Sequence, residues 1–413
     1  DDGVPVRWML LQDQFGKTAL FFDIHHVLAD GFTTERILGK MVYVFSGKAL
    51  PPLGYQLNDY AWWSQNEENA KRIAAARNYW QSIYAESLPK LDLPSDRPRP
   101  VYHSFNGAIT SLVIDQDLLT KARKFASSNR VTMYTLVMAT WFTLLGRLAK
   151  TNDVVISVPV DARDATGFRD TLGMMVSLLP MRMQFDGTEN VADLLARMQR
   201  HHIDAMRHRA YFLDQLLHDL APPAAPERTL LSEVSVSYMN FESTGVGQDI
   251  VKIASEGIEV HRHHCKNDIS IFVRDVPEQM TVALDYYADM FDRDSMNDLC
   301  RAFAETIEHM VTSENQLIRD IDFVSGSPLS KLRHWHNEPE TQAGAMSSPA
   351  ILNANSSETV SVIAEIFSEV FKKQITDPAT SFVKLGGHSL LAIRIVNRIA
   401  DRTGSRISMA DFF

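Results

Sequence analysis

Cysteine is nearly absent: Cys265 and Cys300 are the only two in 413 residues. Two thiols cannot build a disulfide framework in so long a chain, so the composition points to a reducing, cytoplasmic setting. Long apolar runs are missing as well. No stretch approaches the roughly 20 residues needed to span a bilayer, and no positive-then-apolar segment opens the chain. No membrane partner is therefore expected. Positive charge is in deficit, with 41 Lys and Arg against 51 Asp and Glu. The net charge of −10 argues against nucleic acid as the main partner. The deficit is uneven. Residues 357–413 hold seven Lys or Arg and six Asp or Glu, a balance of +1, which leaves −11 for residues 1–356. Docking of the C-terminal part is therefore expected to rest on shape and apolar contact more than on charge steering.

What is present is the balance of a globular protein, 45% hydrophobic and 22% charged. The length suggests two or three domains. Alternation predicts strands over Arg7–Gln12 and Thr18–His25, and a helix follows from about Thr33 to Phe45. Asp59–Glu86 reads as a long, broken helix, and Pro94–Pro100 as an extended loop. Strands are predicted over Ile109–Ile114, Val154–Val158, Val234–Asn240 and Met280–Tyr287. Helices are predicted over Asp117–Asn129, Tyr134–Leu148, Val191–His208 and Asp294–Met310. This order is α+β, with no repeating βαβ unit. Residues 325–356 are rich in Ser, Pro, Asn, Ala and Gly and read as a linker. Beyond it, Val360, Ile363, Ile366, Phe367, Val370 and Phe371 form one helical stripe, which suits a small helical bundle.

Two constellations carry chemistry. His25-His26-Val27-Leu28-Ala29-Asp30-Gly31 stands between a strand and a helix. On the strand alternation His26 shares a face with Leu20, Phe22 and Ile24. An imidazole walled by such groups stays neutral near pH 7 and can accept a proton. Asp30 can fold back across the turn or pair with an arginine. Gly31 allows close backbone approach, and the helix start favours developing negative charge. A His-x-x-x-Asp pattern alone is common; the paired His, the Gly and the strand–loop–helix setting give it weight. The second constellation is Leu385-Gly386-Gly387-His388-Ser389-Leu390. Ser389 opens a helix, where it can serve as a plain N-cap or can hold a phosphodiester at the positive helix end.

Together these residues resemble a nonribosomal peptide synthetase. His25–Gly31 is similar to the HHxxxDG motif of its condensation domains. Asp59-Tyr60-Ala61-x-Trp63, Tyr79-Trp80 and Leu93-Pro94-Ser95-Asp96-Arg97-Pro98-Arg99-Pro100 follow in the family's order. Leu172-Gly173 through Pro180-Met181-Arg182 resembles its G-x-x-x-N-x-x-P-x-R stretch, with Ser177 where Asn is usual. Lys266-Asn267-Asp268-Ile269 resembles K-F-D-L, with Asn267 in place of Phe. Ser389 lies in a signature like that of peptidyl carriers.

The resemblance implies a two-lobed, chloramphenicol-acetyltransferase-like condensation domain over residues 1–324, followed by a four-helix-bundle carrier over 357–413. The N-lobe would run to about residue 110 and the C-lobe over 111–324. Roughly the first quarter of the domain and the last carrier helix are expected to lie outside the sequence. Leu329-x-x-Leu332-x-x-Trp335-x-Asn337 resembles text that leads into an adenylation domain, yet none follows.

The implied reaction is amide formation between a carrier-bound acyl or peptidyl thioester and an acceptor amine, between the lobes. His26 would be the central residue, His25 would shape the loop, Gly31 would let a backbone N–H approach the reacting oxygen, and Asp30 would pair with Arg163 or Arg182. Ser389 would carry 4′-phosphopantetheine. Partners would be an upstream donor carrier, a phosphopantetheinyl transferase and an adenylation enzyme or other loading partner in trans. Ester formation with an alcohol, or a non-catalytic recruitment platform, are the alternatives.

Other residues read as bland. His261, His263, His264 and Cys265 lack a second ligand cluster at zinc spacing. His201 and His202 suit a helix surface. Met174, Met175, Met181 and Met183 suit a core or tunnel lining, and Trp62, Trp63 and Trp80 suit a core.

Overall fold

The structure is a computed structural model. It describes residues 5–321 except 13, 17, 51, 53, 101, 102, 164–166, 223, 224, 226 and 241–263. It also describes 329, 332, 357–371, 395, 398, 399 and 402. Strands β1 (Val6–Gln12) and β2 (Thr18–Ile24) form an antiparallel hairpin, with Trp8 opposite Phe22. Helix α1 (Gly31–Phe45) follows the His25–Asp30 turn.

The expected long broken helix is two helices, α2 (Leu57–Trp63) and α3 (Glu67–Ile83). The break has a local cause: the Asn66 side chain accepts the Asn69 N–H and starts a new helix. Trp80 is fully buried, but Trp62 is 82% exposed and does not join the core.

The larger body is a mixed six-stranded sheet in the order β3-β8-β7-β6-β4-β5. Its strands are β3 (Gly107–Val113), β4 (Asp153–Asp161), β5 (Val176–Gln184), β6 (Val234–Met239), β7 (Ile269–Val276) and β8 (Gln279–Tyr287). The pairs β4–β6 and β6–β7 are parallel and the others antiparallel. Strand β5 begins inside the motif stretch Leu172–Arg182, and β7 begins at Ile269, the last residue of Lys266–Ile269; neither was among the strands expected from alternation.

One sheet face is covered by α4 (Gln116–Ser128), α5 (Met133–Ala149), α6 (Val191–Arg207), α7 (Leu213–Leu220) and α8 (Arg293–Thr312). Local chemistry sets three of their starts: Asp115, Thr132 and Asn190 each accept a first-turn backbone N–H. Helix α5 is buried almost all round, with Trp141 stacked on Phe303 at 4.4 Å. No single helix among the described residues is long and apolar enough to cross a membrane.

Helix α9 (Ser357–Phe371) lies in the C-terminal part. Its Ile366 and Val370 pack with Ile395 and Ile399 in a small separate cluster, so the expected apolar stripe has a partner helix face.

Candidate functional site

Strand β2 stops at Ile24, so its alternation does not carry through the turn that follows. His26 therefore leaves the strand face: it is exposed on a large cavity instead of walled by Leu20, Phe22 and Ile24. Its Nδ1 lies 2.8 Å from the Ala29 carbonyl oxygen. A carbonyl only accepts, so Nδ1 carries the proton and Nε2 keeps the lone pair. His25 has the opposite arrangement, since its Nδ1 accepts the Val27 N–H at 3.1 Å. His25 is not part of the cavity wall.

Asp30 is 2% exposed and receives four hydrogen bonds. Thr33 N–H donates to Oδ1 at 2.8 Å and Met175 N–H to Oδ2 at 2.9 Å. Arg163 grips both oxygens, at 2.8 and 3.2 Å. Burial alone would raise the Asp30 pKa; the bonds from Arg163, Met175 and Thr33 outweigh it and hold the carboxyl below its ordinary value. Of the two expected partners, Arg163 is the one used. Arg182 instead pairs with Asp153, at 2.6 Å. Arg163 also donates to Asp161, Thr33 and the Thr171 and Gly173 carbonyls. One guanidinium thus fixes the His25–Gly31 turn and the start of α1 to the loop between β4 and β5.

Gly31 opens α1, and an added Cβ would meet no atom within 4 Å. No neighbouring atom of this chain demands glycine there; the open space belongs to the cavity.

The cavity encloses about 2480 Å³. His26, Asp30 and Gly31 form part of one wall, and Glu35, Arg36 and Lys40 of α1 continue it. The opposite wall is the uncovered sheet face, where Ile109 stands beside Asp285 and Ser237 beside Phe272. Two loop glycines at positive φ hold the rim. Gly173 (φ 144°) lies against Leu57, and Gly167 (φ 98°) lies against Tyr55 so closely that a Cβ would clash with the ring.

Sequence reasoning missed His202. It is partly buried, lines the cavity and packs on Tyr134 at 4.3 Å, so the surface reading is wrong for it. Burial lowers its pKa by disfavouring the charged ring. His201 is not a surface residue either: burial, helped by Arg197, lowers its pKa to about 4. It lines a separate cavity of about 630 Å³ beside Tyr79 and Arg182. The available signal was spacing: His201 and His202 stand three and four residues after Met198 of the buried stripe.

Two motif stretches meet away from the cavity. Arg99 of the proline-rich loop makes a bidentate ion pair with Asp268, both buried. Glu233 lies near it, 3.5 Å from Arg228, and burial raises its pKa to about 7. Ser389 lies outside the described residues, as do His261 and His263. Among the described residues no group of three or more His, Cys, Asp or Glu is placed to hold a metal.

Residues 1–332 match the family model for the condensation domain. The chain belongs to the condensation-domain family. Residues 361–413 match the model for a phosphopantetheine attachment site, so the C-terminal part is a carrier domain that takes covalent 4′-phosphopantetheine. Similar proteins include surfactin synthase subunit 1 of Bacillus subtilis (strain 168), 26% identical over 318 residues. That match covers 76% of this chain and 9% of the relative. Gramicidin S synthase 2 of Brevibacillus brevis is 23% identical over 339 residues, 82% of this chain and 8% of the relative. The chain thus spans less than a tenth of the length of these two relatives.

Among solved structures, the fold is similar to a holo four-domain nonribosomal peptide synthetase bound to AMP and glycine. The TM-score is 0.68 at 17% identity, covering 77% of this chain and 25% of that one. The X-domain from teicoplanin biosynthesis has a TM-score of 0.66 at 21% identity, covering 78% and 75%. The two-lobed condensation-domain fold expected from the motifs is the fold found.

Proposed function

We propose that this chain joins a carrier-bound acyl or peptidyl group to an acceptor amine, forming an amide, with His26 at the reacting centre. The observation that carries the reading is the His26 ring. Its Nδ1 proton is committed to the Ala29 carbonyl, so Nε2 remains as a base on the cavity wall. Asp30 and Arg163 hold the turn and take no part in proton transfer.

We assign the phosphopantetheine attachment to Ser389, in the sequence Gly386-Gly387-His388-Ser389. The group would supply a flexible thiol that presents an acyl group as a thioester, and a cavity of about 2480 Å³ has room for such an arm. His26 Nε2 accepts a hydrogen bond from the acceptor amine and orients its lone pair toward the thioester carbonyl carbon. As the C–N bond forms, the carbonyl π electrons move to oxygen, close to the positive end of α1. Collapse of that intermediate breaks the C–S bond. The amine proton passes by way of Nε2 to the departing sulfur.

The domain assignment follows from this reading: condensation domain over 1–324, linker over 325–356 and carrier over 357–413. An upstream carrier delivers the donor, and a phosphopantetheinyl transferase modifies Ser389. An adenylating partner loads the carrier, and 325–356 is too short to contain it. Single-turnover transfer from a loaded donor carrier tests the proposal. His26→Ala should slow it by roughly 10²–10⁴-fold. For an amine acceptor, raising the pH should restore part of the rate; wild-type rates in the variant would leave recruitment as the better function.

A further inference from the structure

The six-stranded sheet does not stay closed across its width. Strands β4 and β6 are neighbours, yet among the described residues they pair only at Ser157 and Ser235. Both strands run on past that pair, β4 to Asp161 and β6 to Met239. Side chains of a strand alternate between faces, so a cavity on one face of an intact sheet meets every second residue. The main cavity meets four in a row on each strand, Val158 through Asp161 and Val236 through Met239. It therefore enters between the two strands. It also reaches Tyr134 of α5 and His202 and Met206 of α6, helices that pack on the far face. The cavity has a branch that passes through the sheet.

The chemistry of this branch is mostly apolar, with Ser237 and the His202 ring as its uncharged polar members. Val158, Val160 and Val236 belong to the buried core, and Met206 adds a supple thioether. The Tyr134 and Tyr238 rings meet edge to face at 5.5 Å. The Tyr238 hydroxyl is already committed to Asp275, and Asp161, at the mouth, is paired with Arg163. The branch thus shows a substrate aliphatic and ring surface, with its charge neutralised at the entrance. A slot between two strands suits a thin, unbranched chain.

We infer that this branch is a subsite for the extended aliphatic chain of an acyl substrate, running from the His26 cavity between β4 and β6 toward Met206. The inference rests on the condensation reading for the identity of the acyl group as donor or acceptor.

Calorimetric titration of the intact chain with S-acetyl-, S-butyryl- and S-octanoyl-N-acetylcysteamine tests it directly. Affinity should rise with each methylene, by about fourfold where burial is complete. Met206→Trp should flatten the profile by closing the branch, and Met206→Ala should extend it to chains longer than octanoyl. Equal affinity for the acetyl and octanoyl probes would overturn the inference. So would an unchanged profile in both Met206 variants when their melting curves remain cooperative. Transfer is measured separately. Chain-length-dependent binding without transfer from any loaded carrier supports the subsite and removes only the condensation reading.

Discussion

Replacing Asp30 by Ala tests whether its role is to hold the turn. The side chains of Asp30 and Arg163 are 1% and 2% exposed, so the change strands a buried guanidinium. Breaking one side of a buried pair costs about 3–5 kcal/mol. Here the lower half of that range is expected, because Arg163 keeps Asp161 at 2.8 Å and the Thr171 and Gly173 carbonyls. The Thr33 and Met175 N–H groups also lose their acceptor, which adds to the cost. Urea unfolding of wild type and variant gives the difference. The double variant Asp30→Leu/Arg163→Leu should lose less than the two single changes added together, since neither charge is then left alone. The pH dependence has a definite sign. A depressed Asp30 pKa means that its contribution is present above the ordinary value of 3.8 and is lost as pH falls through the lower folded value. Normal urea stability in Asp30→Ala, together with lost transfer, would refute the structural role and move Asp30 into the chemistry.

Gly31→Ala should fold with wild-type stability, because a Cβ there meets nothing within 4 Å, while transfer falls in Gly31→Ala and further in Gly31→Leu as the side chain grows into the cavity. Urea curves and single-turnover rates on the same samples check both halves. Glu233 should make the protein less stable as pH rises from its ordinary 4.5 toward about 7, by about 3 kcal/mol at most. Burial favours its protonated form, and Glu233→Gln should remove that slope from the stability–pH curve. Incubation with a phosphopantetheinyl transferase and coenzyme A should add one phosphopantetheine by intact mass; the same gain in Ser389→Ala would rule out Ser389 as its bearer.

The sequence by itself determined what is local. Alternation over Arg7–Gln12 and Thr18–His25 marks the hairpin to within one residue, and residues with short polar side chains at Asn66, Asp115, Thr132 and Asn190 set helix starts within one turn of themselves. The His25–Gly31 motif was legible for the same reason: seven consecutive residues carry a turn, an imidazole and a helix start. Only the tertiary structure decided the long-range choices. Arg163 and Arg182 carry the same charge, and their sequence positions do not rank them, yet Arg163 faces Asp30 across 133 positions while Arg182 is occupied by Asp153. His202 and Trp62 exchanged their expected environments, because periodicity assigns a face to a residue but not what that face will meet. The passage between β4 and β6 is the clearest case. Each strand has an ordinary β-branched pattern, and the opening exists only because their pairing ends at Ser157 and Ser235. Where a strand stops pairing depends on the packing of its neighbours, and no period in either strand encodes it.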